Sequence, residues 1–102
     1  MERYDIYWAL IPFEETDAEK SRPALVITEV SDQVMFLKIT TKGKTPDFHM
    51  TITEWEKAGL TEPSYISYQP FYRIEKDKIG DKIGRLQQID IFRLENYLIN
   101  GK

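Results

Sequence analysis

From Arg3 to Ile11 the chain is a run of aromatic and aliphatic residues with few breakers, which reads as a strand ended by Pro12. Pro23 to Val30 is a second apolar run, with proline acceptable at its first residue. Ser31-Asp32-Gln33 is turn chemistry, and Val34 to Thr41 follows as the return strand of a hairpin. His49 to Thr53 is short and extended. Thr53-Glu54-Trp55-Glu56 fits a capping box, with Thr53 as the cap and Glu56 reaching back, so the pattern predicts a short helix ending near Gly59. Tyr65 to Ile74 alternates and is rich in aromatics, with a break or bulge at Pro70. Lys76 to Ile79 reads as one helical turn and Asp81 to Leu86 as a short strand. From Gln87 to Ile99 the pattern changes: Ile91, Leu94 and Leu98 fall on one helical face, and Gly101 stands where a stop is expected.

Five or six short strands and a C-terminal helix predict a mainly β protein, a small, partly closed barrel. Helices do not alternate with strands, which argues against a parallel α/β sheet. Without repeats or a linker, residues 1–102 are expected to form one domain. The thirteen aromatic residues (five Phe, six Tyr, two Trp) suit a core of large side chains.

Two absences narrow the chemistry. The chain has no cysteine, which excludes disulfides, thiolate metal sites and cysteine nucleophiles. Its one histidine, His49, leaves no two-histidine acid–base pair within a chain. Glu54 and Glu56 are two apart and diverge on a helix. The acids from Glu14 to Glu19 lack a calcium-loop pattern, so neither a metal nor a cofactor is expected. No apolar run approaches membrane-spanning length and no signal-peptide core opens the chain, so a cytoplasmic protein without membrane contact is expected. The net charge of −3 does not suit a protein coated with nucleic acid, although a local basic patch is compatible with it.

The order of segments resembles the MazF/PemK (Kid) family of toxins, in its PemK-like branch. The resemblance rests on Asp5-Ile6-Tyr7, on Ile11-Pro12-Phe13 before an acidic loop, and on Lys20-Ser21-Arg22-Pro23-Ala24-Leu25-Val26-Ile27. It continues through Leu37-Lys38-Ile39-Thr40, Lys57-Ala58-Gly59-Leu60, Pro63-Ser64-Tyr65 and Ile83-Gly84-Arg85-Leu86. Tyr4 stands where the family has glycine, and the loop from Glu14 to Glu19 carries four acids and no base. The resemblance implies an SH3-like barrel, a homodimer, cleavage of single-stranded RNA without a metal, and neutralisation by an antitoxin in a bacterial toxin–antitoxin pair.

By the same resemblance, Arg22 matches the catalytic arginine and Thr40 the catalytic threonine. A guanidinium is permanently charged and offers paired donors to phosphate oxygens, whereas a threonine hydroxyl can donate but is no base near neutral pH. If the two strands of the hairpin pair, Arg22 and Thr40 lie at the same end of the ladder. Thr41 competes for the role, because one residue of register exchanges their faces. RNA contacts are expected from Lys20, Thr41, Lys42, Lys44 and His49, with Lys38 in the same basic stretch. Phe13 is the best of three aromatics (with Tyr7 and Trp8) placed to stack on bases. Plainer readings stand beside these: Arg22 paired to the acidic loop, Thr40 a strand residue, the lysines a solvated loop, His49 an ordinary surface residue and Trp55 a packing residue. The acidic loop Phe13–Ser21 is expected to lie over the site as a flap. The rival function is a non-catalytic SH3-like protein-binding module. A DNA-gyrase poison acting through the C-terminal helix is a third.

Overall fold

The computed structural model describes residues 1–11, 20–41 and 48–100. Strands β1 (Asp5–Ile11), β2 (Lys20–Val30), β3 (Gln33–Thr40), β4 (His49–Thr51), β5 (Tyr65–Glu75) and β6 (Ile79–Arg85) precede helix α1 (Gln88–Asn100). They form one antiparallel sheet in the order β4-β5-β3-β2-β1-β6. β4 and β6 are its outer strands, so the sheet curls without closing. Phe13, Lys42, Lys44 and the acid-rich stretch from Glu14 to Glu19 lie outside the described residues. No described helix is long and apolar enough to cross a membrane.

The sheet buries apolar side chains on both faces. On one, Ile6, Leu25, Leu37, Ile39, Met50 and Ile66 pack with Leu86, Ile91 and Leu94 under α1. On the other, Ala9, Ile11, Ala24, Phe36 and Ile74 form a smaller cluster. This explains why β2 reads as a continuous apolar run rather than a strict alternation. The bulge expected at Pro70 is present. Phe36 pairs with Tyr72 and Lys38 with Ser67, so Leu37, the single residue between Phe36 and Lys38 on β3, faces a longer stretch of β5. Lys76–Lys78 forms one turn of 3₁₀ helix, as the sequence predicts.

The segment after Thr53 differs from its prediction. It is a string of turns, not a helix. The backbone N–H groups of Thr53 and Glu54 donate instead to the two carboxylate oxygens of Asp90, each at 2.8 Å. A carboxylate distant in sequence therefore takes the role assigned to Glu56, and Trp55 packs partly buried against the larger core. α1 also departs in detail. Ile91 and Leu94 are buried, but Leu98 reaches the surface. The third inward position goes to Tyr97, whose ring lies 4.9 Å from that of Tyr68.

Tyr4 accounts for the departure from the family's glycine. Its φ is 75°, in the left-handed region glycine enters freely, at a cost of about 1 kcal/mol or more for another residue. Burial of the ring offsets that strain, and the hydroxyl donates to Glu95 at 2.8 Å. Burial first, and then the Glu95 carboxylate, push the phenol up to about 12. Its backbone N–H and carbonyl bond to Val26 and Leu86. The next residue, Asp5, is buried, accepts the Glu2 backbone N–H at 2.8 Å and pairs with Arg85 at 3.1 Å. Burial raises its carboxyl, but the Glu2 N–H, Arg85 and Lys82 together outweigh that and hold it below the usual carboxylate range.

A candidate nucleic-acid cleft beside Arg22

Register decides what the sheet presents. Ala9 pairs with Arg22 across β1 and β2, and Ala24 pairs with Lys38 across β2 and β3. Continuing the second ladder by two residues aligns Arg22 with Thr40. Thr40 pairs in turn with Tyr65 of β5, and Tyr65 with Thr51 of β4. One step along, Lys38, Ser67 and His49 form a parallel row across β3, β5 and β4. Directly opposed residues share a face, and rows two residues apart are about 7 Å apart along the strands. Arg22, Thr40, Lys38 and His49 therefore stand on one face. Its opposite carries the buried row Ile39, Ile66 and Met50. The Lys38 ammonium sits 5.0 Å from the Tyr72 ring centroid, and Tyr72 stacks on Phe36.

At the open end of β2 lies a cleft of about 300 Å³. One wall comes from the sheet: Trp8, Ser21, Arg22 and Pro23, with Thr41 just past β3. The other comes from the turn segment, through Gly59, Leu60, Thr61, Glu62 and Ser64, with Ile83 of β6 alongside. Arg22 is exposed, and Trp8 is 43% exposed despite its size.

Close backbone contact holds the second wall in place. A β-carbon on Gly84 would fall 2.0 Å from the Ala58 carbonyl oxygen, and one on Gly59 would fall 2.4 Å from that of Ile83. Gly59 also has a φ of 97°, so glycine is required there twice over. The motifs Lys57-Ala58-Gly59-Leu60 and Ile83-Gly84-Arg85-Leu86, distant in sequence, are thus one contact in space. The Ser64 hydroxyl donates to the Glu62 carbonyl at 2.8 Å, and the Ile52 N–H donates to the Ser64 carbonyl.

The cleft brings together Arg22 and Thr41 from the expected set. Thr40 is aligned with Arg22 through the ladder but does not line the cleft. Lys20, the exposed first residue of β2, pairs with Ile11 and also lies off it, as does half-buried His49. Sequence reasoning missed Ser21, Leu60, Glu62, Ser64 and Ile83. Only the fold-back of the turn segment makes them neighbours of Arg22, although the two glycine motifs were a signal of a close backbone approach. Among the described residues no three His, Cys, Asp or Glu side chains gather as a metal-holding group.

The family model of PemK-like, MazF-like toxins of type II toxin–antitoxin systems matches residues 2–100. Solved structures share the fold. The Mycobacterium tuberculosis toxin MazF-mt6 superposes with a TM-score of 0.74 at 23% identity, over 94% of this chain and 93% of that one. An endoribonuclease in complex with its cognate antitoxin, from a mycobacterial species, gives 0.76 at 16% identity over 98% and 92%. MazF from Deinococcus radiodurans gives 0.68 at 13% identity over 98% and 94%. No curated protein matches the chain by sequence.

Proposed function

Because the chain belongs to the PemK-like, MazF-like toxins of type II toxin–antitoxin systems, we propose that it is an endoribonuclease that cuts single-stranded RNA without a metal. One observation carries the reading: exposed Arg22 lines a cleft and lies two residues beyond the Ala24–Lys38 pair, where continuing the ladder aligns it with Thr40.

The chemistry asks little of the protein beyond placement. A ribose 2′-oxygen bonds to its own phosphorus and the P–O5′ bond breaks. One proton leaves the 2′-hydroxyl and one arrives on O5′. The nucleophile is already tethered to its electrophile, so alignment and charge stabilisation dominate. Arg22 supplies a fixed positive charge to the phosphate oxygens, and the Thr40 hydroxyl donates a further hydrogen bond. Lys38 and His49, on the same face, lie where the backbone of a bound strand would continue. Thr41 lines the cleft and Lys20 flanks it. Phe13, Lys42 and Lys44 are assigned to the RNA by sequence alone.

In this reading residues 1–102 act as one domain in a cytoplasmic bacterial homodimer, and an antitoxin neutralises it by covering the groove. The complex of a mycobacterial endoribonuclease with its antitoxin, on the same fold, supports that partner class.

The test is incubation of the purified protein with unstructured RNA in EDTA. Fragments ending in a 2′,3′-cyclic phosphate are expected, and Arg22→Ala should slow their formation about 10²- to 10³-fold, as loss of a charge-stabilising donor does. Intact RNA together with tight binding of a protein partner would replace this reading with a non-catalytic binding module.

A further inference from the structure

We infer that the cleft beside Arg22 holds one unpaired nucleobase and prefers guanine, with Trp8 as the stacking surface and Glu62 as the reading group; this rests on the RNA-directed reading above. The lining has the polarity of a nucleotide. Among its described residues Arg22 carries the positive charge and Glu62 the negative one, and Trp8, Pro23, Leu60 and Ile83 add apolar surface. A nucleotide in single-stranded RNA likewise joins an anionic phosphate to a flat apolar ring with an N–H-bearing edge. The volume, about 300 Å³, is that of a small-ligand site.

Trp8 is the strongest sign of a ligand. It projects from β1 at 43% exposure into the wall of a cleft, where a large aromatic is positioned to stack on a base. The Glu62 backbone is held by its neighbour, since buried Ser64 donates to the Glu62 carbonyl and anchors the turn, which leaves the exposed side chain at the cleft.

The choice of base follows from the carboxylate, which only accepts hydrogen bonds. Guanine presents adjacent N1–H and N2–H donors that match two carboxylate oxygens. Cytosine and adenine each offer one amino group beside a ring nitrogen whose lone pair repels the second oxygen. Uracil offers one N–H between two carbonyl oxygens. An unstacked base is read on this edge.

The experiment uses 2′-O-methyl hexanucleotides, which lack the free 2′-hydroxyl and cannot be cut, with binding followed by fluorescence anisotropy. The wild-type protein is expected to bind a uridine hexamer carrying one guanine about tenfold more tightly than the all-uridine hexamer, the discrimination of a bidentate contact. Replacing that guanine by inosine, which lacks the 2-amino group, should give an intermediate affinity. Glu62→Met should abolish the preference while uridine binding persists, because it removes both acceptor oxygens and nearly keeps the length, whereas an amide could still pair with the guanine N1–H and O6. Trp8→Leu should weaken both probes, with thermal unfolding checking that each variant is folded. Equal affinity for the two hexamers in the wild type, or a guanine preference that survives Glu62→Met, would overturn the inference. Guanine-dependent binding by a protein that leaves RNA intact would keep this subsite and remove the nuclease. Cleavage by a protein that binds both hexamers equally would do the reverse.

Discussion

The Asp90 carboxylate, in the first turn of α1, accepts the backbone N–H of Thr53 at 2.8 Å. This joins the C-terminal helix to the start of the segment that walls the cleft. The second oxygen accepts the N–H of Glu54, and Arg93 pairs with Asp90 at 3.0 Å while also bonding to Thr51 and Thr53. Asp90 is fully buried, so its charge is tolerated only because each oxygen is satisfied.

Removing that carboxylate strands two backbone donors and takes the ion-pair partner from Arg93. Asp90→Ala is expected to cost about 3 kcal/mol in urea unfolding, and Asp90→Asn less, since its amide keeps one acceptor. The folded fraction of Asp90→Ala should also bind oligonucleotides less tightly, because the second wall of the cleft loses its anchor.

Gly84→Ala would drive a methyl group into the Ala58 carbonyl. The backbone has to move, at an expected cost of about 3 kcal/mol, and the displaced segment is the one that carries Glu62. A lowered urea midpoint together with lost discrimination between guanine and uridine hexamers checks both consequences.

Asp5 sets an acid limit. Its folded carboxyl titrates below its unfolded range, near 3.9, so its contribution is fully present above that range. It is lost as the pH falls through the depressed folded value. Asp5→Asn should therefore melt lower than the wild type at neutral pH, with the gap closing in strong acid. Thermal unfolding measured across that range checks the sign.

The two threonines at the end of β3 are separable. Thr40 is aligned with Arg22 by the ladder, whereas Thr41 lines the cleft. Thr40→Val is expected to lower single-turnover cleavage about 10²-fold, the scale of one lost hydrogen-bond donor at a developing charge. Thr41→Val is expected to act mainly on binding. Rates at saturating and limiting protein concentration distinguish the two.

Much of this molecule is written in local pattern. The hairpin of β2 and β3, the bulge at Pro70, the turn at Lys76–Lys78 and the terminal helix each follow from periodicity and breakers within a dozen or so residues. The choice between Thr40 and Thr41 does not: the hairpin turn starts the ladder with Val30 opposite Gln33, and a register shift between Val26 and Thr28 sets Leu25 opposite Leu37 and so brings Thr40, rather than Thr41, into line with Arg22. Other features depended on distant partners. The Thr53–Glu56 pattern is that of a helix start, yet Asp90 satisfies the same donors from α1, and an isolated turn of helix is too short to resist such a competitor. Tyr4 keeps a left-handed backbone only because the folded core buries its ring and Glu95 meets its hydroxyl. The cleft itself came from tertiary structure alone. Trp8, Arg22, Glu62 and Ile83 lie on four separate segments, and they meet because two glycines let the backbones at Ala58 and Gly84 touch.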